Sequence, residues 1–459
     1  MSTTLKGNSL SFLESLMMGV AGSAPASSIA LGMAALIGTA GLFAPASLLL
    51  FSVPMLGIAR AYQALGARDA SAGAAYQWTS AVFGRFLGFF SGWALLVATL
   101  IFMVSGSIPI ATATLNFVAP DQVGNVIVTA VLASFWFAIV AAIVIVGITV
   151  TSRIQVILTS VQLLILSVVL IAAFIHSARG GIANHIQWSW MWGGLSAADL
   201  APTALIAVYF YWGWDVTSNL AEETVGGGSQ AGRGGLVSIF ITIVLYVGFS
   251  LAALLVFPIE SAQKLTDNIV FDIAVAAGLG RPGGLLASVA VILSSVAALE
   301  ATMVMFSRTL FAMGRDGSMP RRFGEEHAGT HSPARAMYVL VALGVAFIWA
   351  SALMPSVKLI LFTSVKALGL QVDYYFGLAG LAAAWRFRNT HEHSISQWLN
   401  LCAFPALSSV VLIGLGAYAT STFDWLTNAL GIGGFLIGLA FYRSRSYLPR
   451  SPVIQTENG

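Results

Sequence analysis

Runs of about 20 apolar residues recur from one end of this chain to the other, and each is long enough to cross the hydrocarbon core of a bilayer as a helix. That feature removes most folds at once. Only 8% of the 459 residues are charged, against roughly 25% in a soluble globular protein. Mean hydropathy is +0.87. A β-barrel would show short alternating strands instead, so the expected class is an all-α membrane protein. The single cysteine, Cys402, excludes an intrachain disulfide and any multi-cysteine metal site. The net charge of +3 contains no basic block of the kind that binds nucleic acid. Lys6 is the sole cation before the first apolar run, and Glu14 lies inside that run. Both speak against a cleaved signal peptide.

Twelve transmembrane helices are expected, near 12–38, 41–65, 86–117, 124–149, 154–176, 199–221, 235–258, 283–313, 334–354, 359–385, 398–419 and 424–442. Pro120, Pro258, Pro333 and Pro355 fall at or near helix ends, where a missing N–H costs least. With the N-terminus inside, sixteen of the 21 Lys and Arg fall on the cytoplasmic side, from Lys6 and Arg60 through Arg308, Arg315 and the tail. Five fall outside: Arg179, Lys264, Arg281, Lys358 and Lys366. This bias places both termini in the cytoplasm. Residues 1–11 form a cytoplasmic segment, 12–442 one membrane domain, and 443–459 a short polar tail expected to be disordered.

Two of the apolar helices are interrupted. Gly22-Ser23-Ala24-Pro25-Ala26-Ser27 breaks the first, and Trp212-Gly213-Trp214-Asp215 breaks the sixth. Lipid offers no hydrogen bonds to freed backbone groups, so a break at membrane depth must line a protected polar cavity. A pair of broken helices, each opening one half of a chain, is the sequence mark of a secondary transporter. Breaks in spans one and six divide the chain into five-helix units, about 12–176 and 199–385. An odd helix number forces the second unit to insert inverted. The helices of 398–442 are then an appendage. This inverted 5+5 repeat is inferred from span count and break position, not from self-similarity.

Four segments resemble the amino acid–polyamine–organocation superfamily of transporters, in particular its bacterial amino acid permease branch. They are Gly19-Val20-Ala21-Gly22-Ser23-Ala24; Trp212-Gly213-Trp214-Asp215 with Glu222-Glu223-Thr224; Ser307-Arg308 through Ala312-Met313-Gly314-Arg315-Asp316-Gly317-Ser318-Met319-Pro320; and Leu370-Gln371-Val372-Asp373-Tyr374-Tyr375-Phe376-Gly377. The resemblance covers nearly the whole chain, and the third segment is the most specific. It implies a LeuT-like fold and a permease of the bacterial inner membrane with no cofactor. Two departures stand out. The family break often ends in glycine where Ala24 stands here. Some proton-coupled members carry a lysine in span five, in the context where Gln162 stands here.

The candidate binding residues are Gly22, Ser23, Ala24, Tyr209, Trp212, Gly213, Asp215 and Glu300. A half-helix N-terminus presents unpaired N–H groups and about half a positive charge, and so suits a carboxylate. Carbonyls freed by the same break suit an ammonium. Small residues packing helices together is the plainer reading of Gly22, Ala24 and Ala26. Tyr209 lies one turn before Gly213, and the resemblance implies that such an aromatic covers the bound substrate. Tyr211 and Trp214 read as packing aromatics. Acids inside spans are costly and therefore functional by default: Asp215, Glu300 and Asp373. Glu300 is the proton-coupling candidate. Asp373 sits seven residues from Lys366, a spacing that allows a pair. Glu222 and Glu223 read as a cap or gate, and Arg308 and Arg315 as anchors of the inner end of span eight. His391-Glu392-His393 reads as a solvated loop rather than a metal site.

The leading expectation is an amino acid transporter in the lipid bilayer, working by alternating access and coupled to protons or to exchange. A putrescine-like amine or polyamine is the runner-up substrate, since a cation calls for acids at two separated points. A non-transporting sensor would be expected to carry a soluble signalling domain. An embedded enzyme would need a catalytic constellation, and none is recognisable.

Overall fold

The computed structural model describes residues 5–192, 197–265, 268–327, 332–389 and 394–442. Helices dominate them, and the strand-like pairings among the described residues are the isolated bridges Leu10–Thr224 and His327–Ser332. The first half holds α1 (Phe12–Gly22), α2 (Pro25–Ala40), α3 (Ala44–Arg68), α4 (Ala75–Phe83), α5 (Arg85–Val118), α6 (Val126–Val146) and α7 (Ile148–Ala178). The second holds α8 (Ser189–Trp192), α9 (Ala197–Phe210), α10 (Val216–Asn219), α11 (Gly227–Val256), α12 (Ile259–Ala262), α13 (Ile269–Ala274) and α14 (Gly280–Arg315). It continues with α15 (Ala334–Ser351), α16 (Val357–Arg386), α17 (Ile395–Trp398), α18 (Phe404–Thr422) and α19 (Trp425–Phe441). The His391-Glu392-His393 trio and the tail after Tyr442 lie outside the described residues.

Local chemistry sets several helix starts. Ser11 and Glu14 form a reciprocal capping box at α1: the serine hydroxyl accepts from the Glu14 N–H, and the carboxylate accepts from the Ser11 N–H at 2.8 Å. Asn125, Ser356 and Asp424 cap α6, α16 and α19 with the side-chain acceptor alone. Pro120, Pro258, Pro333 and Pro355 do stand outside helix interiors. Pro54 and Pro109 instead sit inside α3 and α5, where each removes one backbone hydrogen bond.

Eight helical stretches among the described residues are long and apolar enough to cross a membrane. The most apolar window of α5 is 89% buried, whereas those of α6 and α7 are 33% and 28% buried. The helix of Arg85–Val118 is thus the centre of the assembly, and α6 and α7 form its skin. That skin presents Ile127, Val131, Phe135, Ile157, Leu164 and Ile171, each more than half exposed. A continuous apolar exterior of this kind belongs in lipid, and the chain is a multi-pass membrane protein. Inside, α3 and α11 approach so closely that a Cβ on Gly228 would overlap the Gly66 carbonyl. Such contacts replace the hydrophobic effect, which is weak between helices in lipid.

Candidate functional site

The first break is sharp. α1 ends at Gly22, Ser23 keeps αR geometry, and Ala24 turns left-handed at φ 49°, ψ 52°. An L-residue there pays roughly 1–2 kcal/mol that glycine would not. Pro25 then opens α2, where its lack of an N–H is harmless. The turn frees acceptors at the end of α1 and donors at the start of α2. The Ser23 hydroxyl bonds back to the Gly19 carbonyl at 3.4 Å. In this arrangement its partner is therefore its own helix.

The second break is longer. α9 stops at Phe210, and only the single turn of α10 follows Asp215 before the chain leaves helical geometry again. Gly213 adopts φ +98°. The two breaks meet backbone to backbone: a Cβ on Gly22 would overlap the Gly213 carbonyl, and a Cβ on Gly213 would overlap the Gly22 carbonyl. Residues 191 positions apart in sequence thus form one junction. Every residue from Ala207 to Ala221 is buried except Tyr209, which is partly exposed. Tyr209 packs edge-on against Phe210, with ring centroids 6.3 Å apart.

Hydrogen bonds tie the second break to its surroundings. Tyr211 donates to the Leu48 carbonyl at 3.0 Å, and Trp212 Nε1 donates to the Tyr375 hydroxyl at 2.6 Å. That hydroxyl in turn donates to Asp215 Oδ2 at 3.0 Å. Asp215 Oδ1 is buried and has no hydrogen-bond partner among the described residues. Trp214 packs on Tyr62 and Phe376, with ring centroids 5.3 and 5.6 Å away. Tyr375 was not among the candidates drawn from sequence, although it lies inside the quoted span-ten segment. Nothing in a lone sequence says which face of that helix meets span six.

Two further hydroxyls complete the first break, and sequence reasoning missed both. Ser294 Oγ on α14 accepts from the Ala26 N–H at 3.1 Å and from the Ser27 N–H at 3.3 Å. Tyr246 on α11 donates to the Ser23 carbonyl at 2.6 Å. It is fully buried and packs edge-on against Phe210 at 4.9 Å. The only sequence signal was a serine pair and a tyrosine inside apolar runs.

The other two acids are buried as well. Glu300 is 1% exposed, and neither carboxyl oxygen has a partner among the described residues. It lies six residues beyond Ser294, which puts it about 120° around α14 from the face that meets the break. On α7, Gln155 rather than Gln162 reaches this helix, donating to the Ala297 carbonyl at 3.1 Å. Thr159 and both amide atoms of Gln162 are buried without partners among the described residues. Asp373 packs against Gly416 of α18, and Lys366 sits 5.6 Å over the Phe423 ring. The anticipated Asp373–Lys366 pair is not formed, because two helical turns separate them by about 10 Å along the axis.

Two pairs of residues read separately from sequence come together. Glu223 and Arg308, at 0% and 1% exposure, form a two-pronged ion pair at 3.0 and 3.1 Å. Glu222 binds Arg315 at 2.6 and 2.9 Å and also accepts from the Ala72 N–H. Asn219 donates to the Ala72 carbonyl and to Thr309. The Glu223 carbonyl accepts from Ser9 and Leu10. One end of the span-six segment is thereby fastened to α14, to the loop before α4, and to the segment before α1.

Comparison with known proteins adds the lineage. The branched-chain amino acid permease of Lactococcus lactis is 25% identical over 328 residues, 63% of this chain and 64% of that protein. A vacuolar cationic amino acid transporter of Arabidopsis thaliana is 25% identical over 303 residues, 62% of this chain and 48% of that protein. An uncharacterised protein of Methanocaldococcus jannaschii is 29% identical over 157 residues, 32% of this chain and 35% of that protein. The chain thus spans between about a third and just under two thirds of the length of these relatives. The amino acid permease family model matches residues 10–440, and the chain belongs to that family, within the amino acid–polyamine–organocation superfamily.

Proposed function

We propose that the chain is a secondary active transporter that carries amino acids across a bacterial cytoplasmic membrane by alternating access. The family and the named relatives point to a transporter rather than an enzyme. The observation that carries the reading is the junction of Gly22 with Gly213. Beside it, the carbonyl end of α1 and the N–H end of α2 would offer complementary partners to an ammonium and a carboxylate two bonds apart. The proposed topology is twelve spans, an inverted repeat of 12–176 and 199–385, extra helices over 398–442, and both termini inside.

The moving unit would be spans one, two, six and seven, meaning α1–α2, α3, α9–α10 and α11. Contacts within this set include glycine-mediated backbone approaches, Gly22–Gly213 and Gly66–Gly228. Those named between the set and its surroundings are side-chain hydrogen bonds and ion pairs: Ser294, Tyr375–Asp215, Arg308–Glu223 and Arg315–Glu222. Bonds of the second kind exchange readily during rocking, whereas close backbone contacts do not. Tyr209 would cover the substrate, and Glu300 would carry the coupled proton, unless transport is by exchange.

A putrescine-like amine remains the second reading, favoured by the unpaired, buried Asp215 Oδ1 beside the junction. Uptake of labelled substrates into proteoliposomes, with imposed pH and sodium gradients, tests both. Amino acids should be taken up and their decarboxylated analogues should compete poorly. Better competition by putrescine or agmatine than by any amino acid would overturn the first reading in favour of the second.

A further inference from the structure

We infer that Tyr246 and Ser294 are internal stand-ins for the two charged ends of the substrate, and that binding displaces both hydroxyls. This deepens the reading that the junction holds an amino acid, and rests on it. The argument starts from bond polarity. A freed carbonyl at the end of α1 needs a donor, and the Tyr246 hydroxyl supplies one to Ser23 at 2.6 Å. Freed N–H groups at the start of α2 need an acceptor, and one Ser294 oxygen accepts from both Ala26 and Ser27. An ammonium offers the same donor as the first hydroxyl, and a carboxylate oxygen the same acceptor as the second. Serine and tyrosine thus fill complementary halves of a zwitterion's hydrogen-bond pattern.

Both residues are positioned from helices other than the broken one. Tyr246 comes from α11 and Ser294 from α14, 223 and 268 positions from their partners. Each is held by packing: Tyr246 by the rings of Phe210 and Tyr211, and Ser294 by its place in the buried face of α14. Without Ser294 the N–H groups at the start of α2 would sit buried and unsatisfied whenever the site is unliganded, while the Ser23 carbonyl would keep only the longer bond from the Ser28 hydroxyl, at 3.2 Å. With them, each ligand end competes against a hydroxyl of matching polarity. Ser294 therefore sets the affinity for carboxylates and Tyr246 the affinity for ammonium groups, independently of each other.

The test is equilibrium binding to the purified full chain in lipid nanodiscs. The ligands are L-leucine, its decarboxylated amine isopentylamine, and its deaminated acid 4-methylpentanoate. They are titrated against wild type, Ser294→Ala, Ser294→Thr and Tyr246→Phe, with thermal unfolding recorded for each. Removing a competing neutral hydrogen bond should tighten binding by about fivefold. Ser294→Ala should tighten leucine and the acid and leave the amine unchanged. Tyr246→Phe should tighten leucine and the amine and leave the acid unchanged. Ser294→Thr, which keeps the hydroxyl, should match wild type. Weaker leucine binding in either deletion variant, or equal changes for all three ligands, would overturn the inference while leaving the amino acid site standing. Equal wild-type affinity for leucine and isopentylamine would instead remove the zwitterion site, and this inference with it.

Discussion

Replacing Gly213 by alanine should damage the junction more than any other single methyl addition in the two breaks. Two independent costs fall on that position. At φ +98° an L-residue pays roughly 1–2 kcal/mol. The new Cβ would also overlap the Gly22 carbonyl, which is backbone and has no rotamer to turn aside. Forcing an extra carbon into such a contact costs about 1–3 kcal/mol. Together the expected destabilisation is about 2–5 kcal/mol. About 1.4 kcal/mol of that falling on the substrate-bound conformation would lower uptake tenfold. The control is Gly38→Ala in α2, where a Cβ meets nothing within 4 Å and removing a helical glycine contributes roughly 0.5–1 kcal/mol of stability. Both variants would be compared for thermal unfolding in detergent and for uptake into proteoliposomes at matched protein content. Gly213→Ala should melt lower and transport at a tenth of the wild-type rate or less. Identical melting and uptake in the two variants would refute the claim that the breaks meet backbone to backbone.

Glu300→Gln keeps the side chain's shape and removes its proton, so substrate binding should persist while uphill, pH-driven accumulation is lost; unchanged accumulation in vesicles with an imposed pH gradient would exclude Glu300 from coupling. Tyr375→Phe strips partners from both Trp212 Nε1 and Asp215 Oδ2, and should cost about 1–3 kcal/mol in chemical or thermal unfolding, with Asp215→Asn adding little on top in a double-variant cycle. Arg308→Ala leaves the buried Glu223 carboxylate without its guanidinium and should destabilise by about 3–5 kcal/mol. The paired change Arg308→Met with Glu223→Leu should recover most of that loss, as read by melting temperature.

Much of the architecture was legible in the chain because lipid imposes it. A bilayer accepts only helices or barrels, so apolar runs of about 20 residues specify helices with little ambiguity. The positions of α5, α14 and α16 follow from those runs to within about three residues, whereas α7 begins at Ile148, six residues before the expected start. The first break was readable because Pro25 cannot continue a helix and the residues around it are small. The second was readable because glycine and an acid interrupt aromatics at Gly213–Asp215.

What the chain could not disclose is which side chain reaches which break. Contacts such as Tyr246 with Ser23 and Ser294 with Ala26 join residues more than 200 positions apart. They depend on the rotation of α11 and α14 about their own axes, which is decided by how all their neighbours pack. An apolar run has no polar stripe to announce that rotation, because lipid and protein interior are equally apolar. The same blindness separated Glu222 and Glu223 from Arg308 and Arg315, which were visible as charges but not as pairs. It also could not say that Ser294 rather than Glu300, six residues and about 120° further around α14, meets the start of α2. The sequence by itself determined a helical membrane chain, where its helices run, and where two of them break; the tertiary structure alone decided that the breaks touch and which hydroxyls close them, since helix rotation and register are properties of packing, not of composition.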